Sequence, residues 1–194
     1  MTYEDFIKSK SQVYGNFGFI LSPIAVSLQT EKEGDKFGIK AQISRDGNAK
    51  GDITITNYEQ IEKFDPNDYT GVVCDESSIL KNFTGKRKTQ IIRFIQKMPY
   101  RLLLSATPSP NDYQELGNSS EALGGLAYMD MLSTFFRDTS NDKNPQWSKP
   151  KWELKKHGIM DFWQWVCSWS IALKKPSDLN FDDCDFILPK LIEN

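Results

Sequence analysis

The stretch GVVCDESSILKN, Gly71–Asn82, places two acids directly after a short apolar run. A brief run of β-branched and aliphatic residues is typical of a parallel strand buried on both faces. In open α/β sheets, functional groups gather just beyond the carboxyl ends of such strands. The consecutive acids Asp75 and Glu76 therefore predict a functional site at this end of a sheet.

A second apolar run, YRLLL at Tyr100–Leu104, also ends in a polar cluster, Ser105-Ala106-Thr107-Pro108. Two strands that both stop at polar groups strengthen the prediction of a site. One carboxylate of the acid pair is suited to hold Mg²⁺, and the other to orient or deprotonate an attacking water. The alternative is structural, because such acids can cap the next turn and Ser105 and Thr107 can form the turn before Pro108.

Composition narrows the class of protein. The chain has 194 residues, of which 39% are hydrophobic and 26% charged, as in an ordinary folded domain with room for a small appendage. The net charge of -2 gives no global electrostatic reason to bind nucleic acid, so any such contact needs a local patch. The three cysteines form no C-x-x-C pair and indicate neither zinc nor a disulfide framework. Without a membrane-length apolar run or a signal peptide, the chain is expected to be cytoplasmic.

Apolar runs alternate with helical patterns through the first two thirds of the chain. The strands expected are one ending at Ile20–Pro23, Lys40–Ser44, one through Thr56, Gly71–Cys74 and Tyr100–Leu104, with helices at Ala25–Phe37, Gly85–Lys97 and from Asp112 through Leu123. This alternation predicts an α/β fold with a mostly parallel sheet flanked by helices.

The chain changes character after Gly125. A polar stretch over residues 138–151 is expected to be a linker or exposed loop. The segment DFWQWVCSWSIAL, Asp161–Leu173, has helical spacing with Phe162, Trp165, Trp169 and Leu173 on one stripe, which usually indicates packing rather than base stacking. An acidic, extended segment follows, so the C-terminal part is predicted to be a helical and extended appendage.

The pairing of DESSILKN with SATP resembles motifs II and III of the superfamily-two helicases and translocases, with the LKN leaning toward the Swi/Snf-like branch and its phage-type members. The tryptophan segment followed by KPSDL resembles the region between the two RecA-like lobes of phage-type helicases. The resemblance implies an incomplete RecA-like lobe that uses ATP and Mg²⁺ in the parent family. It assigns Asp75 as the Mg²⁺ ligand through the nucleotide, Glu76 as the catalytic base, and Ser105, Ala106 and Thr107 as the link between nucleotide state and grip on DNA.

Further motifs imply contacts with a nucleic acid, expected to be DNA. LSPIAVSLQT, Leu21–Thr30, resembles motif Ia, and TNYE, Thr56–Glu59, resembles the neighbouring backbone-contacting motif. The residues assigned to this contact are Pro23, Thr30, Thr56, Asn57 and Tyr58. Thr56, Asn57 and Tyr58 could equally well end a strand, because contacts to phosphates carry no sequence signature of their own.

The phosphate-binding element of this family is missing from the sequence. A Walker A loop, G-x-x-x-x-G-K-[ST], cradles phosphates with its backbone amides. The single Gly-Lys pair, Gly85-Lys86, follows motif II, is followed by arginine, and has Leu80 in place of the first glycine. In the family the P-loop block precedes motif Ia, whereas here Phe19 runs directly into Ile20, which is interpreted as an in-frame deletion.

These features predict three segments: residues 1–19 as an N-terminal segment, 20–125 as a partial RecA-like lobe, and 126–194 as a Trp-rich inter-lobe region. The expected function is that of a helicase-family ATPase lobe, inactive alone because the P-loop and the second RecA-like lobe are absent. The alternative is a non-catalytic remnant that binds DNA or a protein partner. Because the family's P-loop strand lies beside the motif III strand, an exposed sheet edge is also expected, covered by residues 1–19, by the tryptophan region or by a partner.

Overall fold

A computed structural model of the chain describes residues 18–48, 51–82, 85–109, 112–140 and 152–183. Two compact units are present, Met1–Leu154 and Lys155–Asn194. The segment boundaries expected after residues 19 and 125 remain predictions. Residues 1–17 and most of the expected linker over 138–151 lie outside the described residues.

A five-stranded parallel sheet is the centre of the first unit. Its strands are β1 (Gly18–Leu21), β2 (Ala41–Ile43), β3 (Ile53–Thr56), β4 (Gly71–Cys74) and β5 (Tyr100–Leu103), in the spatial order β2-β3-β1-β4-β5. Leu21 pairs with Cys74, and Cys74 pairs with Leu103. The carboxyl ends of the three strands β1, β4 and β5 are therefore level, which brings the residues that follow them to one edge of the sheet.

Helices connect the strands, and the predicted α/β class with a mostly parallel sheet is confirmed. They are α1 (Ile24–Lys36), α2 (Gly85–Gln96), α3 (Leu116–Leu123) and α4 (Tyr128–Phe135), with 3₁₀ helices at Tyr58–Lys63, Pro66–Asp68, Ser77–Asn82 and Tyr113–Glu115. Gly124 ends α3 in the left-handed region at φ 84°, where a residue without Cβ is least strained. Helix α4 was not predicted from the sequence.

The core lies on one face of the sheet. Alternate residues of a strand point to opposite faces, and Phe19, Val72 and Cys74 point toward α2. The helix contributes its apolar stripe to this cluster: Ile91, Ile92, Phe94 and Ile95. The ring of Phe19 lies 5.6 Å from that of Phe94, within the range of favourable aromatic pairs. Burial of these side chains is the main stabilising contribution to this unit.

The opposite face of the sheet is poorly covered near β5. One row of side chains on this face consists of Ile20 in β1, Val73 in β4 and Leu102 in β5. The first two are half-buried and Leu102 is exposed. Tyr100 is 60% exposed, Leu102 52% and Leu104 44%. Within the described part of the chain, β5 pairs only with β4 and forms the end of the sheet. An exposed edge was expected at this strand, and among the described residues β5 has no outer neighbour; the expected cover by residues 1–17 falls outside the described residues.

Two short antiparallel strands, β6 (Phe136–Asp138) and β7 (Trp152–Leu154), form a separate small sheet. The sequence did not predict them, since three residues are too few to show alternation. Arg137 of β6 and Glu153 of β7 face each other in the register and form an ion pair. Because both side chains are about half exposed, this pair orients the ribbon rather than adding much stability.

The second unit contains α5 (Ile159–Trp169) and the 3₁₀ helices Lys156–Gly158 and Pro176–Leu179. Phe162 is buried, and the rings of Trp165 and Trp169 meet edge-on at 5.4 Å. The prediction of an aromatic stripe is correct up to this point, but its extension to Leu173 is wrong. The helix ends at Trp169 with Ser170 extended, so Leu173 lies outside it and is exposed.

No helix among the described residues combines the length and the apolarity that a membrane span needs.

Candidate functional site

The acid pair lies immediately after β4, as predicted. The backbone N–H of Asp75 donates to the Leu21 carbonyl at 2.8 Å, which ties this turn to the end of β1. Glu76 then adopts φ 49°, a left-handed conformation that costs energy for a residue with a side chain. Asp75 Oδ1 accepts the Glu76 N–H at 3.0 Å, which helps to hold this sharp turn.

Hydrogen bonds join this turn to the end of β5. The Leu104 N–H donates to the Cys74 carbonyl at 2.9 Å, and the Ser77 N–H donates to the Leu104 carbonyl at 2.8 Å. Ser77, which follows the acid pair, is therefore bonded to Leu104, the residue before Ser105. Ser105 Oγ accepts the Thr107 N–H at 3.1 Å, and Ala106 and Thr107 are exposed. The structure thus brings the two polar clusters to neighbouring positions at the same edge.

Tyr58 connects a third segment to this edge. Its hydroxyl donates to the Asp75 carbonyl at 2.8 Å, while its side chain is only 2% exposed. Burial is the main cause that raises the pKa of Tyr58, with the neighbouring Cys74 adding to it, so the phenol stays a proton donor. A side chain in this position supports the turn at Asp75 from inside the protein. Direct contact between the Tyr58 side chain and a nucleic acid does not fit this burial.

Thr56 is the last residue of β3, and Asn57 follows it directly before this tyrosine. Thr56 is also buried, and its hydroxyl has no hydrogen-bond partner within the described part of the chain. Asn57 caps the 3₁₀ helix Tyr58–Lys63, because its side chain accepts the N–H groups of Glu59 and Gln60. Asn57 remains partly exposed, and its predicted contact with a nucleic acid remains a prediction.

Pro23 and Thr30 follow β1 on the segment that leads into α1. Pro23 is the cap residue of α1, and its carbonyl accepts the Ser27 N–H at 3.2 Å. Because β1 and β4 end level, Pro23 lies at the same sheet edge as Asp75. Thr30 lies almost two turns further along α1, and its hydroxyl donates to the Val26 carbonyl at 3.2 Å. Its predicted contact with a nucleic acid remains a prediction.

The acid pair could contribute ligands to Mg²⁺, but the sequence has no Walker A loop to bind the phosphates of ATP. Mg²⁺ is usually held by one or two carboxylates together with waters and substrate phosphates, which Asp75 and Glu76 could supply in part. No cluster of three or more His, Cys, Asp or Glu side chains that could hold a metal alone is found within the described ranges. The sequence offers no Walker A loop for the phosphates. These residues fit the metal, but the chain has no loop of this type for the triphosphate.

The sequence reasoning missed the structural role of two basic residues at the start of α2. Arg87 forms an ion pair with Glu62 and donates to the Glu59 carbonyl at 2.7 Å. Lys88 donates to Asn118 Oδ1, and its ammonium lies 4.8 Å from the ring centre of Tyr128. Burial lowers the pKa of Lys88. The helical spacing of the apolar residues in α2 was the only sequence signal for these roles, because it places Arg87 and Lys88 beside the buried face of the helix.

Comparisons with known proteins give a family match and a structural similarity. Residues 21–143 match the SNF2-related domain. Among solved structures, the chain is similar to the Sulfolobus solfataricus SWI2/SNF2 ATPase core in complex with dsDNA, with 20% identity and a TM-score of 0.47. The similarity covers 68% of this chain and 30% of that one, so the chain spans less than a third of the length of that relative. No curated protein sequence matches.

The family match includes the end of β1, the acid pair after β4 and the polar cluster after β5, which are the features on which the sequence resemblance rested. It also extends over more than half of the chain. The chain therefore belongs to the SNF2-related domain family.

Proposed function

We propose that this chain is a helicase-family ATPase lobe that has kept its metal-binding and coupling residues but does not hydrolyse ATP by itself. The observation that carries the proposal is the acid pair at the end of β4, level with the polar cluster after β5, in a sequence with no phosphate-binding loop. In phosphoryl transfer, positioning and charge stabilisation supply nearly all of the catalysis. Losing the cradle therefore removes most of what the acids could act upon.

Within this proposal each residue keeps the role that the family motif gives it. Asp75 is the ligand for Mg²⁺ brought by a nucleotide, and Glu76 is the base that orients or deprotonates water. Ser105, Ala106 and Thr107 form the coupling segment, since they follow the strand beside β4. When bound, Mg²⁺ would neutralise phosphate charge and polarise the bond that breaks. This chain contributes the carboxylates, and the turn that holds them rests on Tyr58 and Leu21.

DNA is the proposed macromolecular partner, contacted by Pro23, Thr30 and Asn57. The dsDNA in the complex of the similar SWI2/SNF2 ATPase core belongs to that protein, so for this chain duplex DNA remains a proposal. A second RecA-like lobe, or another protein, would supply the groups that this chain lacks. The compartment proposed is the cytoplasm of a bacterium or of a phage-infected host cell.

The second candidate is a non-catalytic remnant that binds DNA or a protein partner. It is favoured by the exposed Tyr100, Leu102 and Leu104, which offer an apolar surface to a partner. The two candidates differ in whether the acid pair meets a nucleotide once a partner supplies the missing phosphate-binding groups.

Binding of MgATP, measured by isothermal titration calorimetry, tests whether the chain alone can still use its acid pair. We expect no saturable heat with the wild-type chain at millimolar nucleotide, because two carboxylates alone cannot replace a phosphate cradle. Saturable binding that Asp75→Asn weakens would contradict this expectation, because the chain alone would then hold a nucleotide at the acid pair. A circular dichroism spectrum typical of an α/β fold for both proteins confirms that the comparison is made on folded chains.

Binding of a fluorescein-labelled DNA duplex, followed by anisotropy, tests the proposed partner. Thr30→Glu places a negative charge at the predicted contact, and Gln29→Glu makes the same charge change at an exposed neighbouring position of α1. We expect Thr30→Glu to weaken binding several-fold more than Gln29→Glu. Equal weakening by the two variants, or no binding by the wild type, would remove DNA from the proposal.

A further inference from the structure

A groove in the first unit lies between α2 and the segment that joins β3 to β4. Its volume is about 820 Å³, within the usual range for ligand sites. Its walls include Glu62, Phe64 and Pro66 from the joining segment, and residues of α2 from Lys86 onward. None of the residues of the proposed nucleotide or DNA site lines it. We propose that this groove binds an extended acidic peptide of a protein partner, with an apolar side chain of that peptide as its anchor.

The charge of the groove comes from one side of α2 and from the residue that follows it. Lys86 and Arg93 are seven residues apart on α2, which places them on the same side of the helix, and Lys97 lines the groove directly after the helix ends. All three are exposed, and none of them forms an ion pair within the described part of the chain. The groove therefore offers three cations that no carboxylate pairs with within the described residues.

The remaining basic residues of α2 show that this pattern is not general for the helix. Arg87 is paired with Glu62, and Lys88 donates to Asn118. Among the described residues that line the groove, Glu62 is the only acid, and it is already paired with Arg87. Arg87 and Lys88 thus have partners within the fold, whereas the three cations that line the groove can bind an anionic ligand. Complementarity of charge points to an acidic ligand.

The shape and the lining favour a peptide over a nucleic acid. Phe64, Pro66 and Phe94 form an apolar floor, and the aliphatic stems of the cations extend it. Lys97 directly follows the last residue of α2 and comes four positions after Arg93, so the two cations line neighbouring parts of the groove. In an extended peptide, side chains on one face recur at about 7 Å, so acids at alternate positions can meet both cations. A phosphate backbone offers charge at similar spacing but no side chain for the floor.

The test uses the full chain and a short fluorescein-labelled peptide, Gly-Asp-Leu-Asp-Phe-Glu-Gly, followed by anisotropy. We expect saturable binding that weakens as salt is raised, because exposed charges are screened. The same peptide with Lys in place of each acid should not bind. The peptide with Ala in place of Leu and Phe should bind several-fold more weakly, since it lacks the anchor.

Two charge reversals locate the binding. Arg93→Glu and Lys97→Glu should each weaken the peptide about tenfold, whereas Lys32→Glu, an exposed cation on α1, should leave it within about twofold. All three side chains are exposed, so their urea unfolding midpoints should match that of the wild type. The proposal is overturned by equal weakening in Lys32→Glu, by the absence of saturable binding, or by complete competition from single-stranded oligothymidylate.

Discussion

The hydroxyl of Tyr58 donates to the carbonyl of Asp75 across 2.8 Å, which links the turn after β3 to the turn that carries the acid pair. The two residues are 17 positions apart in sequence. They follow β3 and β4, which lie on either side of β1 in the sheet, so both turns lie at the end of β1. Asp75 is further fixed by its own N–H, which donates to Leu21 of that intervening strand. The position of the first acid is therefore set by three strand ends rather than by its own loop alone.

Removing this hydroxyl should destabilise the fold. Tyr58→Phe keeps the ring in the core but leaves the Asp75 carbonyl without this donor, which we expect to lower the free energy of unfolding by about 1 kcal/mol. Urea unfolding measures the change. Tyr100→Phe is the matched control, because Tyr100 is 60% exposed, and it should stay within about 0.5 kcal/mol of the wild type. Equal stability of Tyr58→Phe and the wild type would mean that the bond contributes nothing net.

The fold should lose stability in alkaline solution. Burial raises the pKa of Cys74 from 9.0 to about 12, and burial also raises the pKa of Tyr58. Between pH 9 and about pH 12, the Cys74 thiol loses its proton in the unfolded chain and keeps it in the folded chain. The stabilisation is thus complete below about pH 9 and is lost as the pH rises toward 12, by up to about 1.4 kcal/mol per pH unit.

Urea unfolding between pH 8 and 11 measures this slope. Cys74→Ala removes the titrating thiol, so its stability should fall less steeply with pH even though its stability at pH 8 is lower because of the cavity. An identical slope in wild type and variant would show that Cys74 does not titrate differently in the two states.

The open edge at β5 should cause self-association at high concentration. Tyr100, Leu102 and Leu104 are exposed on one face of a strand whose outer side is unpaired within the described residues, a recognised aggregation risk. Leu102→Lys should reduce association, which sedimentation velocity measures over a concentration series. Leu28→Lys, a similarly exposed position on α1, is the control and should leave association unchanged. A wild-type chain that remains monomeric throughout contradicts the prediction.

The sequence was sufficient for the sheet and the acid pair, because both depend on local patterns. The run Gly71–Cys74 was predicted as β4 with its bounds correct, and Gly85–Lys97 differs from α2 by one residue. Level strand ends follow from parallel pairing, so the proximity of Asp75 and Ser105 could be expected.

The burial of Tyr58 could not be predicted, because its motif resembled a surface contact and its partner is distant in sequence. The same reason explains the roles of Arg87 and Lys88, whose partners Glu62 and Asn118 are reached only once the chain has folded. The short strands β6 and β7 could not be predicted, because they form by pairing with each other and have no local sequence pattern of their own.

Phosphate release from MgATP is the most direct test of the central claim, that the acid pair remains in a lobe unable to hydrolyse ATP alone. The wild-type chain and Glu76→Gln are compared with and without duplex DNA, under identical conditions. We predict that the wild-type rate equals that of Glu76→Gln and does not rise with DNA. DNA-stimulated release by the wild type that Glu76→Gln abolishes would contradict the account.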